Sequence, residues 1–295
     1  MRFILCGGTG LVGDALVDRL LSDGHEVIVY SRSVRKSTRK GLTFLSWDHS
    51  QVSFQNPPKS DVLFNLAGAT VGQRWSDEQK RLILDSRLQS TFLALTIAAQ
   101  SAVDHVVQAS AIGRYVGGEE LMHEDSARDH GFLGDVVFQW EKEARIANLS
   151  DKSITFLRIG IVLAKDGGML NKLLPLYKAG FGGPVSSKPQ WLSWVHLEDV
   201  VEAFMFAGQH KLSGEFNLVA PNPVRYRIFS ASLARRLKRP HFMPAPPLWL
   251  LRILLGGFAD ELTKSYNVSA QKLEDEGFIF RFGSIESALE DLAQR

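Results

Sequence analysis

Apolar runs alternate with helix-length amphipathic stretches over the first 115 residues. Phe3-Ile4-Leu5-Cys6, Glu26 to Tyr30, Leu42 to Trp47, Val62 to Leu66 and His105 to Ala109 read as strands, short and bounded by turn residues. Leu11 to Leu21, Asp77 to Gln100 and Gln139 to Ala147 carry apolar positions at helical spacing. Ile154 to Val162 (ITFLRIGIV) reads as one further buried strand. Strands separated by helices require right-handed crossovers, which predicts a parallel sheet covered on both faces.

The pattern changes after Ala164, where Gly167-Gly168, Gly180, Gly182-Gly183-Pro184 and Pro189 punctuate a loop-rich segment. Trp194 to Phe206 is expected to return a strand and helix to the sheet, and Gly214 to Val219 another strand. From Pro221 the chain reads as a smaller helical appendix ending in a helix from Ile285 to Gln294. The expected organisation is a first domain over 1–165, rejoined by about 192–219, with 166–295 forming mainly a substrate-binding and helical domain.

One feature of the alternation carries chemistry. Gly7-Gly8-Thr9-Gly10-Leu11-Val12-Gly13 lies between the first strand and the first helix. In that context Gly7 permits a tight turn, Gly10 lets the backbone approach a pyrophosphate, and Gly13 allows close helix–strand packing. The helix N-terminus offers unpaired N–H groups to the phosphates. The expected architecture is therefore α/β, a Rossmann-type doubly wound parallel sheet with a smaller C-terminal substrate domain. No Gly-Lys-Ser/Thr follows, which excludes the nucleoside-triphosphatase form of phosphate loop.

Composition sharpens this only locally. The 295 residues include 34 Lys+Arg and 32 Asp+Glu, a net charge of +2 that gives no whole-molecule attraction to nucleic acid or anionic lipid. Along the chain, however, Arg32, Arg35, Lys36, Arg39 and Lys40 follow the second strand. An NAD site usually keeps an acid there for the ribose 2′-hydroxyl, whereas Ser31 and Arg32 suit a 2′-phosphate. NADP is the expected cofactor, against a solvated basic loop as the alternative. Leu66, Ala67 and Gly68 end the fourth strand with small residues beside which a ribose and nicotinamide can lie, and Asp48 is a candidate for the adenine. One cysteine, Cys6, cannot form an internal disulfide, and no histidine spacing suggests a metal site. With no targeting signal, and Leu248 to Phe258 too short to span a bilayer, the expectation is a cytoplasmic protein, monomer or homodimer, with a small-molecule substrate and neither nucleic-acid nor membrane partner.

GGTGLVG at the start, NLAGATVGQRW at Asn65 to Trp75, DSR at Asp85 to Arg87, SAIGRY at Ser110 to Tyr115 and WEKEA at Trp140 to Ala144 resemble the extended short-chain dehydrogenase/reductase family. With RIGIVLAKDGG at Arg158 to Gly168, GFGGP at Gly180 to Pro184, QWLSWVHLEDV at Gln190 to Val200 and GFIFRF at Gly277 to Phe282, the likeness is to its atypical, nucleoside-diphosphate-sugar epimerase-like (YfcH-like) branch. The resemblance implies a Rossmann-type fold with a small C-terminal substrate domain, and NADP. It supplies no substrate, and the expectation formed beside it is an oxidoreductase or epimerase-like enzyme acting on a small polar substrate, with nucleotide sugars among the candidates. It also places Arg87 and Val162 beside the cofactor.

That superfamily's chemistry uses a Tyr and a Lys four residues apart on one helix. The residues four beyond the five tyrosines are Val34, Glu119, Phe181, Ser230 and Ala270, so the dyad is absent. Aligning WEKEA with the dyad helix puts Glu141 at the lysine and Val137 at the tyrosine. Candidate substitutes are Tyr115, Ser110 and Glu141 for catalysis, and Trp191, Trp194 and His196 for substrate binding. The missing dyad motivates a rival reading, a non-catalytic NADP(H)-sensing or interaction module.

Overall fold

The computed structural model describes residues 1–32, 36–46, 59–146 and 153–293. Seven parallel strands form the main sheet: β1 (Arg2–Cys6), β2 (Glu26–Ser31), β3 (Leu42–Ser46), β4 (Val62–Asn65), β5 (His105–Ala111), β6 (Ser153–Ile159) and, later in the chain, β10 (Gly214–Leu218). Their order is β10-β6-β5-β4-β1-β2-β3, so the strand order reverses between β1 and β4. A crevice opens at such a reversal, outside the carboxyl ends of the strands, and ligands bind there. The fold is the Rossmann-type doubly wound sheet expected from the sequence.

Alternating side chains of each strand feed two cores. Phe3, Leu5, Val27, Val29, Val62 and Phe64 face one side. There they meet α1 (Leu11–Ser22) and α5 (Leu197–His210), which pack on each other. Ile4, Cys6, Ile28, Tyr30 and Leu63 face the other side, beneath α2 (Asp77–Gln100) and α3 (Phe132–Ile146). α2 is long and apolar enough by composition to cross a membrane, yet Ile83, Leu93, Ala94, Ile97 and Ala98 are buried in this protein's own core. Phe64 stacks on Phe3 at 5.6 Å and meets Phe204 of α5 edge-on at 5.8 Å, which locks that helix to the strand.

Three expectations are corrected. α3 starts at Phe132 rather than Gln139; Gly134 masks the helical pattern and is required because a Cβ there would lie 2.1 Å from the Asp129 carbonyl oxygen. Ile154 to Val162 is two strands, β6 and β7 (Ile161–Ala164), broken at Gly160, where a Cβ would approach the Ser193 oxygen to 2.6 Å. The strand at Trp194, β9 (Trp194–His196), does not return to the main sheet but pairs with β7; the helix that follows, α5, does cover the sheet. The apolar stretch from Leu248 forms α7 (Leu248–Leu255), with no buried residue.

A third hydrophobic cluster binds the later elements together. Leu163 and Trp194 of β7 and β9 pack with Tyr177 of α4 (Gly168–Lys178), with Leu192 of β8 (Trp191–Leu192), and with Tyr226 and Phe229 of α6 (Tyr226–Arg236). β8 pairs antiparallel with β11 (Val224–Arg225). Short helices α8 (Phe258–Leu262) and α9 (Gln271–Asp275) follow, and α10 (Ile285–Ala293) packs on α6.

Candidate functional site

The glycine turn has the geometry its sequence demands. Gly7 sits at φ +88°, and a Cβ there would lie 2.7 Å from the Ala67 amide nitrogen. At Gly13 a Cβ would be 2.2 Å from the Gly7 oxygen, so that glycine serves helix–strand packing. Gly10 differs: the nearest atom to its Cβ would be 3.7 Å away, leaving no internal packing reason for glycine. It N-caps α1 without any side-chain cap, so the first helical N–H groups remain available to an anion. Thr9 and Gly10 are exposed, and Leu11 and Val12 are half-buried beside them.

The adjoining wall is the end of β4, tied to α2 at one-turn intervals. The Ala67 N–H donates to Asn65 Oδ1 at 3.3 Å, and Asn65 Nδ2 donates to Gln108 Oε1 at 2.9 Å. Ser90 donates to the Ala67 oxygen at 2.9 Å, and the Ala69 N–H donates to Ser86 Oγ at 2.9 Å. Arg87 donates to the oxygens of Ala69 and Ile83 at 3.1 and 3.0 Å, and its guanidinium lies 5.0 Å from the centre of the Trp140 ring. Burial draws its pKa down to about 10, so it stays cationic at neutral pH, and no carboxylate pairs with it among the described residues. A largely buried cation beside Gly68 without an anion of its own fits a phosphate-bearing ligand. Leu66 and Gly68 complete this wall, and Val162 of β7 packs half-buried against the adjoining core.

Ser31 closes β2 and Arg32 follows it, exposed, with no ion pair among the described residues. Arg39, by contrast, pairs with Asp18 of α1 at 2.6 Å, as a surface residue does. Arg35 and Asp48 lie outside the described residues.

Ser110, Tyr115 and Glu141 come together, but inside a closed network. Ser110 donates to Glu141 Oε1 at 2.7 Å. Arg158 of β6 grips the same carboxylate in bidentate fashion, Nε to Oε1 at 2.8 Å and Nη2 to Oε2 at 3.0 Å. Its Nη1 donates to the Tyr115 hydroxyl at 2.9 Å and to the Glu124 carbonyl at 2.7 Å. Tyr115 in turn donates to Asn217 Oδ1 of β10 at 2.6 Å. Tyr115 is wholly buried, and the other members are at most 3 % exposed. Burial would raise the Glu141 carboxyl, but the hydrogen bonds and charge of Arg158 outweigh it and hold the group below its ordinary value. Burial pushes the Tyr115 hydroxyl up to about 12 despite Arg158. A superfamily proton donor needs the opposite shift.

Of the substrate-binding candidates, Trp194 is corrected by its burial. Trp194 is fully buried in the third cluster and cannot stack on a ligand. His196 caps α5, its Nδ1 accepting from the Glu198 N–H at 3.1 Å while its ring stacks on Phe282 at 3.8 Å. Trp191 is half-buried, donates to Glu119 at 3.1 Å, and has the Arg225 guanidinium 4.0 Å above its ring. Sequence reading missed Arg158, Asn217, Ser86 and Ser90. An arginine inside the apolar run ITFLRIGIV was the one available signal, since a buried strand carries a cation only when it is paired.

A doubly wound sheet with a glycine turn at its reversal and an unpaired cation opposite defines a dinucleotide-binding protein. The chain belongs to the epimerase family. It is 32 % identical to an epimerase family protein of Staphylococcus aureus (strain NCTC 8325 / PS 47) across 99 % of this chain and 98 % of that protein. The NAD dependent epimerase/dehydratase family matches residues 3–133, and a domain of unknown function (DUF1731) matches residues 246–292. Among solved structures, the human epimerase family protein SDR39U1 (isoform 2), crystallised with NADPH, superposes with a TM-score of 0.89 at 26 % identity over 100 % of both chains. A nucleoside-diphosphate sugar epimerase from Corynebacterium glutamicum gives 0.79 at 29 % identity, covering 99 % of this chain and 58 % of its own.

Proposed function

We propose that the protein binds NADP(H) at the β1–β4 crevice and acts as an NADP-dependent epimerase or oxidoreductase on a small polar substrate of the nucleotide-sugar type. The observation that carries the cofactor choice is Arg32, exposed and without an ion pair among the described residues, at the end of β2 where an NAD site keeps an acid. The NADPH held by the human relative supports the same choice. The N–H groups at the start of α1 and the backbone at Gly10 hold the pyrophosphate, Ser31 and Arg32 the 2′-phosphate, and Leu66 to Gly68, Arg87 and Val162 border the nicotinamide half. Bound there, the dinucleotide supplies or accepts hydride; the chain orients the substrate and excludes water.

The closed Ser110–Glu141–Arg158–Tyr115 network favours a second reading, a non-catalytic NADP(H)-sensing module. Tyr115 is committed to Arg158 and Asn217, so turnover would have to draw its proton from substrate, water or another side chain. Following NADPH absorbance against a panel of sugars and carbonyl compounds decides between the two. Turnover that survives Tyr115→Phe supports an enzyme working without the dyad. Turnover abolished by Tyr115→Phe in a folded protein would make Tyr115 catalytic, and inertness across the panel alongside firm NADPH binding would leave the sensor.

A further inference from the structure

A groove of about 990 Å³ runs between the loop at 184–190, helix α6 and the segment 241–245. It shares no residue with the glycine turn, the end of β4 or α2, so it is separate from the dinucleotide crevice. Its size suits one small molecule.

Its charge is one-sided. Lys188, Arg225, Arg227 and Arg235 line it, and no carboxylate does among the described residues. Arg225 is already held by Glu119, at 2.9 Å through Nη1. The Lys188 ammonium and the guanidinium groups of Arg227 and Arg235 have no ion pair among the described residues, and that of Arg235 donates a 3.4 Å hydrogen bond to Ser232. In a chain of net charge +2, such an accumulation of unpaired cations calls for an anion.

Two residues of the groove lining carry buried polar atoms that make the case independently of charge. Tyr226 is 4 % exposed and Gln190 8 % exposed, and among the described residues neither the Tyr226 hydroxyl nor Gln190 Oε1 has a hydrogen-bond partner. A buried polar atom left unpaired keeps its full desolvation penalty, so each has reason to be matched by a ligand. Behind them the polar groups are satisfied: His241 Nε2 and Ser230 Oγ are 2.8 Å apart, and Ser230 bonds Tyr177 Oη at 2.5 Å. That chain fixes the His241 ring at the groove wall. On the rim stands Phe242, 73 % exposed, an aromatic face with nothing of its own to cover.

We propose that this groove binds a small phosphate-bearing anion with an attached ring. Arg227, Arg235 and Lys188 take the phosphate, Tyr226 donates to it, Gln190 Oε1 accepts from a ligand hydroxyl or amine, and Phe242 covers the ring. A guanidinium pair suits phosphate geometry, and an exposed aromatic supplies a stacking platform.

The test is calorimetric titration of the full chain with phenyl phosphate and with inorganic phosphate, with and without saturating NADPH. Phenyl phosphate is expected to bind at least threefold more tightly than phosphate, whether or not NADPH is present, and Phe242→Ala should erase that difference. The double variant Arg227→Ala/Arg235→Ala should weaken phenyl phosphate at least tenfold while leaving NADPH affinity unchanged. Tyr226→Phe should weaken it about threefold and, without ligand, leave thermal stability equal or higher, because an unpaired hydroxyl is removed. No binding of phenyl phosphate, binding abolished by NADPH, or binding indifferent to these substitutions would overturn the proposal. So would length-dependent binding of a single-stranded oligonucleotide tighter than phenyl phosphate, which would make the groove part of a nucleic-acid surface. Failure to bind NADPH would refute the cofactor reading and leave the groove standing.

Discussion

Replacing Arg158 by Met breaks the buried network at its centre. The side chain, 2 % exposed, makes two hydrogen bonds to Glu141 and one each to Tyr115 and the Glu124 carbonyl. Its loss leaves Glu141 with only Ser110 at 2.7 Å and the half-exposed Arg145 at 3.3 Å. Breaking a buried pair by removing one partner costs about 3–5 kcal/mol, since the remaining charge stays desolvated. Unfolding entropy of about 2.1 cal/mol/K per residue gives about 0.6 kcal/mol/K for this chain, so Tm should fall by about 5–8 °C. Urea and thermal denaturation of wild type and variant measure it. The sign with pH is also fixed. In the wild type Glu141 is held below its ordinary value, so its contribution is present above the unfolded carboxylate range and fades as pH falls through the folded value. In Arg158→Met the carboxyl is pushed up instead, so the variant should lose less stability than wild type on acidification. The double variant Glu141→Gln/Arg158→Met, with no buried charge, should recover at least half the loss. A single variant within 1 kcal/mol of wild type, or a double variant no better than the single, would refute the view of this network as a structural lock.

Two other outcomes follow from the same coordinates. Gly10→Ala should fold normally, since its Cβ meets nothing closer than 3.7 Å, yet bind NADPH at least tenfold more weakly; Gly13→Ala, with a Cβ 2.2 Å from the Gly7 oxygen, should lose folded yield, as circular dichroism and calorimetry would show. His105 is fully buried between Ser153 and Thr155, at 2.5 and 3.0 Å, and burial, then Lys211, draws its pKa down to about 4. A neutral folded histidine is stabilising above about pH 6.5 and becomes progressively less so as pH falls toward its folded value, by roughly 3 kcal/mol at most, so His105→Gln should flatten the stability–pH curve between pH 6.5 and 4.

Local periodicity carried much of the fold. α2 ends at Asp77 and Gln100 as its pattern predicts, because Ser76 caps it and accepts from the Gln79 N–H at 3.1 Å. The departures arise where a glycine answers a contact outside its own element: Gly134 against Asp129 and Gly160 against Ser193 look like breakers in sequence, though one lies within a helix and the other ends a strand. The turn from Gly7 to Gly13 was legible because strand, glycines and helix are contiguous. The network around Arg158 was not, since Ser110 with Tyr115, Glu141, Arg158 and Asn217 come from four separate segments, and only the fold reveals that they seal one another. Trp194 was misjudged for the same reason: a tryptophan in a loop-rich stretch does not announce which side of a two-stranded ribbon it occupies.

The cofactor assignment meets its most direct test in paired calorimetric titrations of NADPH and NADH against wild type and Arg32→Ala. The wild type is expected to bind NADPH at least tenfold more tightly than NADH, with the preference erased in the variant because the 2′-phosphate loses its guanidinium. Equal affinities in the wild type, or a preference that survives Arg32→Ala unchanged, would contradict it.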